Sequence, residues 1–244
     1  MGFTVVDCRM TKQNALIIGI SLVVGLGLLG LLLGRSAVTF KSFDRTVTVK
    51  GLSEREVAAD VVIWPIQFTV ASNDLGALYR TIDSNTFKVR SFLVDQGVTQ
   101  DEITVSVPAI TDKSAQQWGD AGGPFRYTAV QNVTVYSEQV ALVREIMSGI
   151  SALGQEGIVI SGDNYQSPTE YLFTGLNKLR PEMIEEATRS ARAVAQKFAS
   201  DSESVLGKIR NASQGQFSIV SRDNNNPHIK KVRVVSTVTY YLSD

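Results

Sequence analysis

The chain has 244 residues, 24 of them basic and 24 acidic, with one histidine and one cysteine. An even charge balance without a dense Lys/Arg block excludes the counterion-displacing surface of a nucleic-acid binder. A single thiol excludes a disulfide framework or a thiolate metal site, and Cys8 lies ahead of the globular part in any case.

Residues 1–14 form a short tail that carries Arg9 and Lys12. Residues 15–34 then read ALIIGISLVVGLGLLGLLLG, twenty residues without a charge, thirteen of them Leu, Ile or Val. As a helix they span about 30 Å, the thickness of a bilayer's hydrocarbon core. Their apolar side chains favour insertion by roughly 6 kcal/mol before the glycines are discounted. The stretch from Ala15 through Leu22, Gly25 and Gly30 to Gly34 is predicted to be a transmembrane signal anchor, with the lipid bilayer as its partner. Its length exceeds the h-region of a cleaved signal peptide, and Gly34-Arg35-Ser36-Ala37 lacks a clean A-x-A cleavage pattern. Basic residues flank both ends, so the placement typical of an export signal, rather than the charge count, favours a C-terminal domain outside the cytoplasm of an inner-membrane protein. Myristoylation of Gly2 is disfavoured by Val6, and no lipobox surrounds Cys8. Gly30-x-x-x-Gly34 is the spacing that lets two membrane helices approach, although five glycines in twenty residues also produce it by chance.

A juxtamembrane segment, 35–44, leads to a domain over 45–244. Beyond residue 34 there remain 22 basic and 23 acidic side chains. Arg45 to Lys50 alternates as a strand closed by Gly51, and 62–70 alternates as a second strand, with which it is expected to form a hairpin. Pro65 lacks a ladder donor and is expected at an edge or bulge. Leu75, Leu78, Ile82, Val89 and Leu93 predict a helix over 74–96, ended by Gly97. Ile103, Val105 and Val107 predict a strand, 111–123 a polar loop, and 125–135 another strand whose odd positions face a core. A helix over 138–153 ends at Gly154 and Gly157, and 158–160 begins a strand running toward Tyr165. A helix opening at Pro181 buries Met183, Ala187, Ala191, Val194, Ala195 and Phe198. Strands follow around 216–220 and 229–242, the latter with Val232, Val234, Val238, Tyr240 and Leu242 inward. Pairs of strands alternating with helices specify an α+β fold: antiparallel sheet with about three helices on one face. The bare edges or face left over make self-association the economical expectation.

Four stretches carry a resemblance. Thr46-Val47-Thr48-Val49-Lys50-Gly51 leading to Val57-Ala58-Ala59-Asp60 is similar to a V-x-G-x-G…V-x-P-D opening, with Leu52-Ser53 after Gly51 and Ala59 where proline is common. Gly97-Val98 through Asp101-Glu102-Ile103-Thr104-Val105-Ser106 is similar to a glycine-ended helix and D-I-x-T-x-S strand. Phe125 to Ala129 running into Val133-Thr134-Val135 matches a Y-x-A-x-x-x-V-x-V strand. Glu186-Ala187 through Ala191, Ala195 and Phe198 to Leu206-Gly207-Lys208-Ile209 matches an alanine-rich helix and L-G-x-V segment. In this order, over roughly residues 45–242, they resemble the SIMPL-domain family of bacterial envelope proteins, which includes periplasmic immunogenic and oxidative-stress-associated proteins. The resemblance implies an extracytoplasmic α+β domain that can assemble into ring- or channel-like homo-oligomers with links to envelope stress. It supplies no catalytic motif.

The residues agree on that point. His228, in Asn226-Pro227-His228, has no acid or nucleophile pattern beside it and reads as a solvated loop side chain. Asp101-Glu102 and Glu185-Glu186 lack calcium-loop spacing and read as the start of a strand and a helix N-terminus. No metal or cofactor is expected, and no enzymatic activity. Trp64 reads as core. Trp118, beside Gly119, Gly122 and Gly123, marks a candidate contact loop for a neighbouring subunit, the membrane or an envelope protein partner. The expectation is a membrane-anchored structural protein that self-assembles, the rival being a binding module that captures a small molecule or protein through 111–123.

Overall fold

The computed structural model describes residues 12–42, 45–115, 124–161 and 167–243. Along the chain run α1 (Lys12–Ser42), β1 (Thr46–Ala58), β2 (Val61–Ser72), α2 (Leu75–Asp95), β3 (Ile103–Val105), β4 (Ala109–Asp112), β5 (Tyr127–Ser137), α3 (Val140–Gly149), α4 (Ser151–Gln155), β6 (Ile160–Ser161), β7 (Glu170–Leu172), α5 (Leu176–Asp201), β8 (Val205–Gln214), β9 (Ser218–Ser221) and β10 (Ile229–Ser243). The architecture is α+β with antiparallel pairing, as the periodicity predicts. Two compact units are assembled from alternating segments. One comprises Met1–Leu52, Glu185–Gly215 and Val235–Asp244, the other Ser53–Ile184 and Gln216–Val234.

In the larger unit β2 lies against β5 over its whole length, from Val62 opposite Ser137 to Ser72 opposite Tyr127. β3 and β4 pair with the far edge of β5, while β6 and β7 pair with the other edge of β2. Val62, Trp64, Ile66, Phe68 and Val70 alternate onto one face of β2. There they meet Ala129, Val133 and Val135 of β5 and the buried stripes of α2, α3 and α4 in one core. Trp64 is therefore core, as its position in the alternation requires. α2 matches the expected helix closely. Its first turn is capped by Asp74, whose Oδ1 accepts the Ala77 amide at 2.6 Å, and Gly97 follows it at φ +100°, a left-handed backbone that glycine adopts without Cβ strain.

Several expectations are corrected here. β1 and β2 do not form a hairpin: β1 neighbours β10 in one sheet and β2 neighbours β5 in another. The chain changes sheets at Ala59 and Asp60, where a tight connection suggested pairing. Three partners hold that connection. The amide of Ala59 donates to the carbonyl of His228 at 2.8 Å, and that of Asp60 donates to Leu172 at 2.9 Å. The Asp60 carboxylate accepts from the Thr174 amide, the Thr174 hydroxyl and the Gly175 amide, at 2.7 to 3.0 Å. This places a negative group at the start of α5. The helix accordingly begins five residues before Pro181, which lies inside it, and the acidic residues from Glu182 onward lie beyond its first turn. Pro65 occupies a central strand rather than an edge. It is tolerated because β7 pairs only with 61–63 and β6 only with 67–68, leaving a gap at its position. The strand after α2 ends at Val105, so Val107 is 89% exposed. Thr111 and Asp112 belong to β4 rather than to a loop. The helix over 138–153 is broken at Ile150 into α3 and α4.

In the smaller unit β1 carries Val49 and β10 carries Val238 and Tyr240 against Ala191 and Ala195 of α5. Ala187, Ala191, Ala195 and Ala199 recur every fourth residue and are all buried. This single i, i+4 row lets the helix axis come close to the strands. Gly51 does not end β1; it lies inside the strand beneath that row, where a Cβ would meet the Ala187 carbonyl oxygen at 1.9 Å and the Ala191 nitrogen at 2.4 Å. The contact stripe is narrower than expected. Val194 and Phe198, predicted inward, are 39% and 57% exposed, and Ala199 takes the buried place. β8, which the alternation did not reveal, pairs with β10 from Ser236 opposite Gln214 to Ser243 opposite Val205. Leu206 is its one residue that is not exposed.

Gly51→Ala cannot be accommodated by a side-chain shift, because both clashing atoms are backbone. We expect a loss of about 3 kcal/mol, toward the upper end for overpacking, read as a lowered denaturant midpoint with an unchanged slope. Wild-type stability in this variant would show that helix and strand can separate there freely.

Candidate functional site

Helix α1 contains a window, Leu16–Ser36, that is long and apolar enough to cross a membrane, and none of it is buried within the protein. Its Leu, Ile and Val residues from Leu16 to Leu33 are 48 to 69% exposed on every side of the helix. A helix apolar all round requires an apolar surrounding, and within the described protein it has none. The span includes Leu22, Gly25, Gly30 and Gly34; Ala15 is in the same helix just before it. A Cβ added at Gly25, Gly30 or Gly34 would touch nothing within 4 Å, so the chain itself makes no use of their small size. The helix continues to Ser42, through most of the juxtamembrane segment 35–44.

The second predicted feature is the loop after β4. Trp118, Gly119, Gly122 and Gly123 lie outside the described residues. Its stem is described. Asp112 accepts from Nε and Nη2 of Arg126 at 3.1 and 2.8 Å, a two-point ion pair across the base. Lys113 donates its amide to the Arg126 carbonyl at 2.9 Å. Asn73, at the end of β2, accepts the Arg126 amide at 2.8 Å and donates to the Pro124 carbonyl at 3.2 Å. The Arg126 guanidinium and the Ser114 hydroxyl hold the Asp112 carboxyl well below the usual carboxylate range. The pairing of Asp112 with Arg126 was not anticipated, because residues fourteen apart are joined only when β4 and β5 align.

Several other polar groups are engaged in local structure. Glu102 turns back on Thr99, accepting its amide and hydroxyl at 2.9 Å each, and closes a 3₁₀ turn at Gln100–Glu102. Asp223 accepts the amides of Asn225 and Asn226 and orders the loop before β10. His228 sits edge-on to Tyr171, ring centres 6.0 Å apart. It is half-buried rather than solvated; desolvation and the positive charges of Arg144 and Arg222 push its imidazole below the ordinary value. Gln131 is buried at 2% exposure; its amide nitrogen donates to the Ser106 carbonyl at 2.6 Å, while its Oε1 has no partner among the described residues. Among the described residues no three His, Cys, Asp or Glu side chains are grouped as metal ligands. A cleft of about 200 Å³ beside Trp64, Pro65, Met147 and Ile160 is smaller than the usual ligand pocket.

These features define an antiparallel α+β domain preceded by an unburied apolar helix. The chain matches the SIMPL family model, described as a protein of unknown function (DUF541), over residues 47–240. It belongs to the SIMPL family. No curated protein matches it. An apolar N-terminal helix followed by this domain fits an envelope-associated, single-pass membrane protein.

Two outcomes are expected. His228 has a lower folded than unfolded pKa, so the unfolded chain binds a proton first as pH falls. Stability is therefore full above pH 6.5, the ordinary histidine value, and declines as pH drops below it. The melting temperature of His228→Gln should fall less than that of wild type between pH 7.5 and 5.5. Asp112→Asn should leave the melting temperature nearly unchanged, yet increase the rate of protease cutting within 113–125 several-fold, because only the stem of the loop is released.

Proposed function

We propose that this protein is a non-enzymatic structural component of the bacterial envelope, anchored in the inner membrane by α1, with its SIMPL domain outside the cytoplasm and assembled with other copies of itself. The observation that carries the anchor is the complete exposure of the apolar window. Self-assembly is supported by surface that the domain leaves bare: β8 is exposed along almost its whole length, with Val205 61% and Ile209 49% exposed. Exposed strands of this length invite pairing with another chain. A ring or channel-like arrangement and a link to envelope or oxidative stress follow from family resemblance.

The rival reading, an envelope binding module acting through the loop, is favoured by one observation. The Asp112–Arg126 pair and Asn73 fix both ends of 113–125, as a presenting stem would.

Full-length protein should stay in the membrane pellet through a carbonate wash and, in detergent, show a protein mass that is a multiple of 26.6 kDa. A chain released by carbonate, or a monodisperse monomer, would overturn the reading. Removing 113–123 discriminates further: loss of the oligomer makes the loop a subunit contact, whereas an intact oligomer that loses an envelope partner favours recognition.

A further inference from the structure

The outer face of α2 is patterned for its own copy. At 100° per residue, Asp83, Phe87, Arg90 and Val94 fall within an arc of about 60°, turned away from the buried Leu78, Ile82, Val89 and Leu93. Phe87 is 72% exposed and Val94 39%. A groove of about 390 Å³ runs beside them, bounded by Ser91, Asp95 and Gln100. Asp83 and Arg90 are seven residues apart, about 10.5 Å along the axis, too far to neutralise each other. Phe87 lies near their midpoint. Arg80, at the N-terminal side of this face, lies 4.0 Å from Asp74 within its own chain.

We propose that α2 is a self-pairing surface on which a second copy of this chain docks its α2 antiparallel, about a two-fold axis near Phe87. This rests on the self-assembly reading and names one contact within it. Inversion about that axis sets Asp83 against the partner's Arg90, and Arg90 against the partner's Asp83. The two Phe87 rings meet at the centre. A parallel pair would set Asp83 on Asp83 and Arg90 on Arg90, so charge selects the antiparallel register. One helix face buries less than the 1,200 Å² or so of a stable free-standing dimer. The contact therefore draws on the high local concentration that a shared membrane provides.

The test is disulfide trapping of the full chain in its own membranes, with Cys8→Ser as background and Phe87→Cys as probe. Oxidation should yield a cross-linked dimer at least ten times more abundant than from Asn224→Cys, placed in the loop before β10. Adding Asp83→Arg should reduce that yield about tenfold, as should Arg90→Asp. The doubly reversed protein should recover it, and differently tagged single reversals should cross-link to each other. No excess over the Asn224→Cys control, or a yield indifferent to charge reversal, overturns the proposal. If the wild-type chain is still oligomeric in detergent in that case, only this interface fails; if it is monomeric, the assembly reading fails with it.

Discussion

Helix α5 can lie on β1 only because the strand has no side chain at Gly51 and the helix presents alanine at every fourth position from Ala187 to Ala199. The two features are one constraint. With larger residues on either surface the axis would move outward, and Val49, Val238 and Tyr240 would lose the apolar contacts that bury them. The narrow contact also explains why Val194 and Phe198 face outward. A row of small residues brings the surfaces together along a line, and side chains to either side of that line stay exposed.

The second organising feature is the connection at Ala59 and Asp60. A chain leaving one sheet for another must satisfy the backbone groups at the crossing, and His228 and Leu172 do this from two distant segments, with Thr174 beside Leu172 holding the Asp60 carboxylate. Asp60 also supplies acceptors where α5 begins, so one carboxylate serves both the crossing and the helix terminus. The start of α5 is set by this contact rather than by Pro181. Proline satisfies the geometry of a first helical turn, but the chain ahead of it was already helical once its free amides had found Asp60.

The proposed function rests on surfaces rather than on a pocket. The apolar helix, the bare strand β8, the outer face of α2 and the clamped stem of the loop each present chemistry outward. Glu102 and Asp223 are spent on local backbone hydrogen bonds. His228 takes up a place against Tyr171, desolvated and close to two arginines.

The sequence by itself determined the apolar N-terminal helix, the α+β class and most of the regular elements, because each is written in a local pattern. Leu78, Ile82, Val89 and Leu93 specify α2, and the alternation in β2, β5 and β10 specifies which residues turn inward, since one face of each is buried. β8 was illegible for the converse reason: nearly all its side chains are exposed, so no alternation marks it. Strand partners were not legible either. Pairing of β1 with β10, the gap that accommodates Pro65, the Asp112–Arg126 clasp and the Gly51 contact join residues far apart in the chain. Only the tertiary structure decided these, because hydrogen bonds and close packing between distant segments depend on which surfaces meet, and a local pattern records only that a surface is apolar.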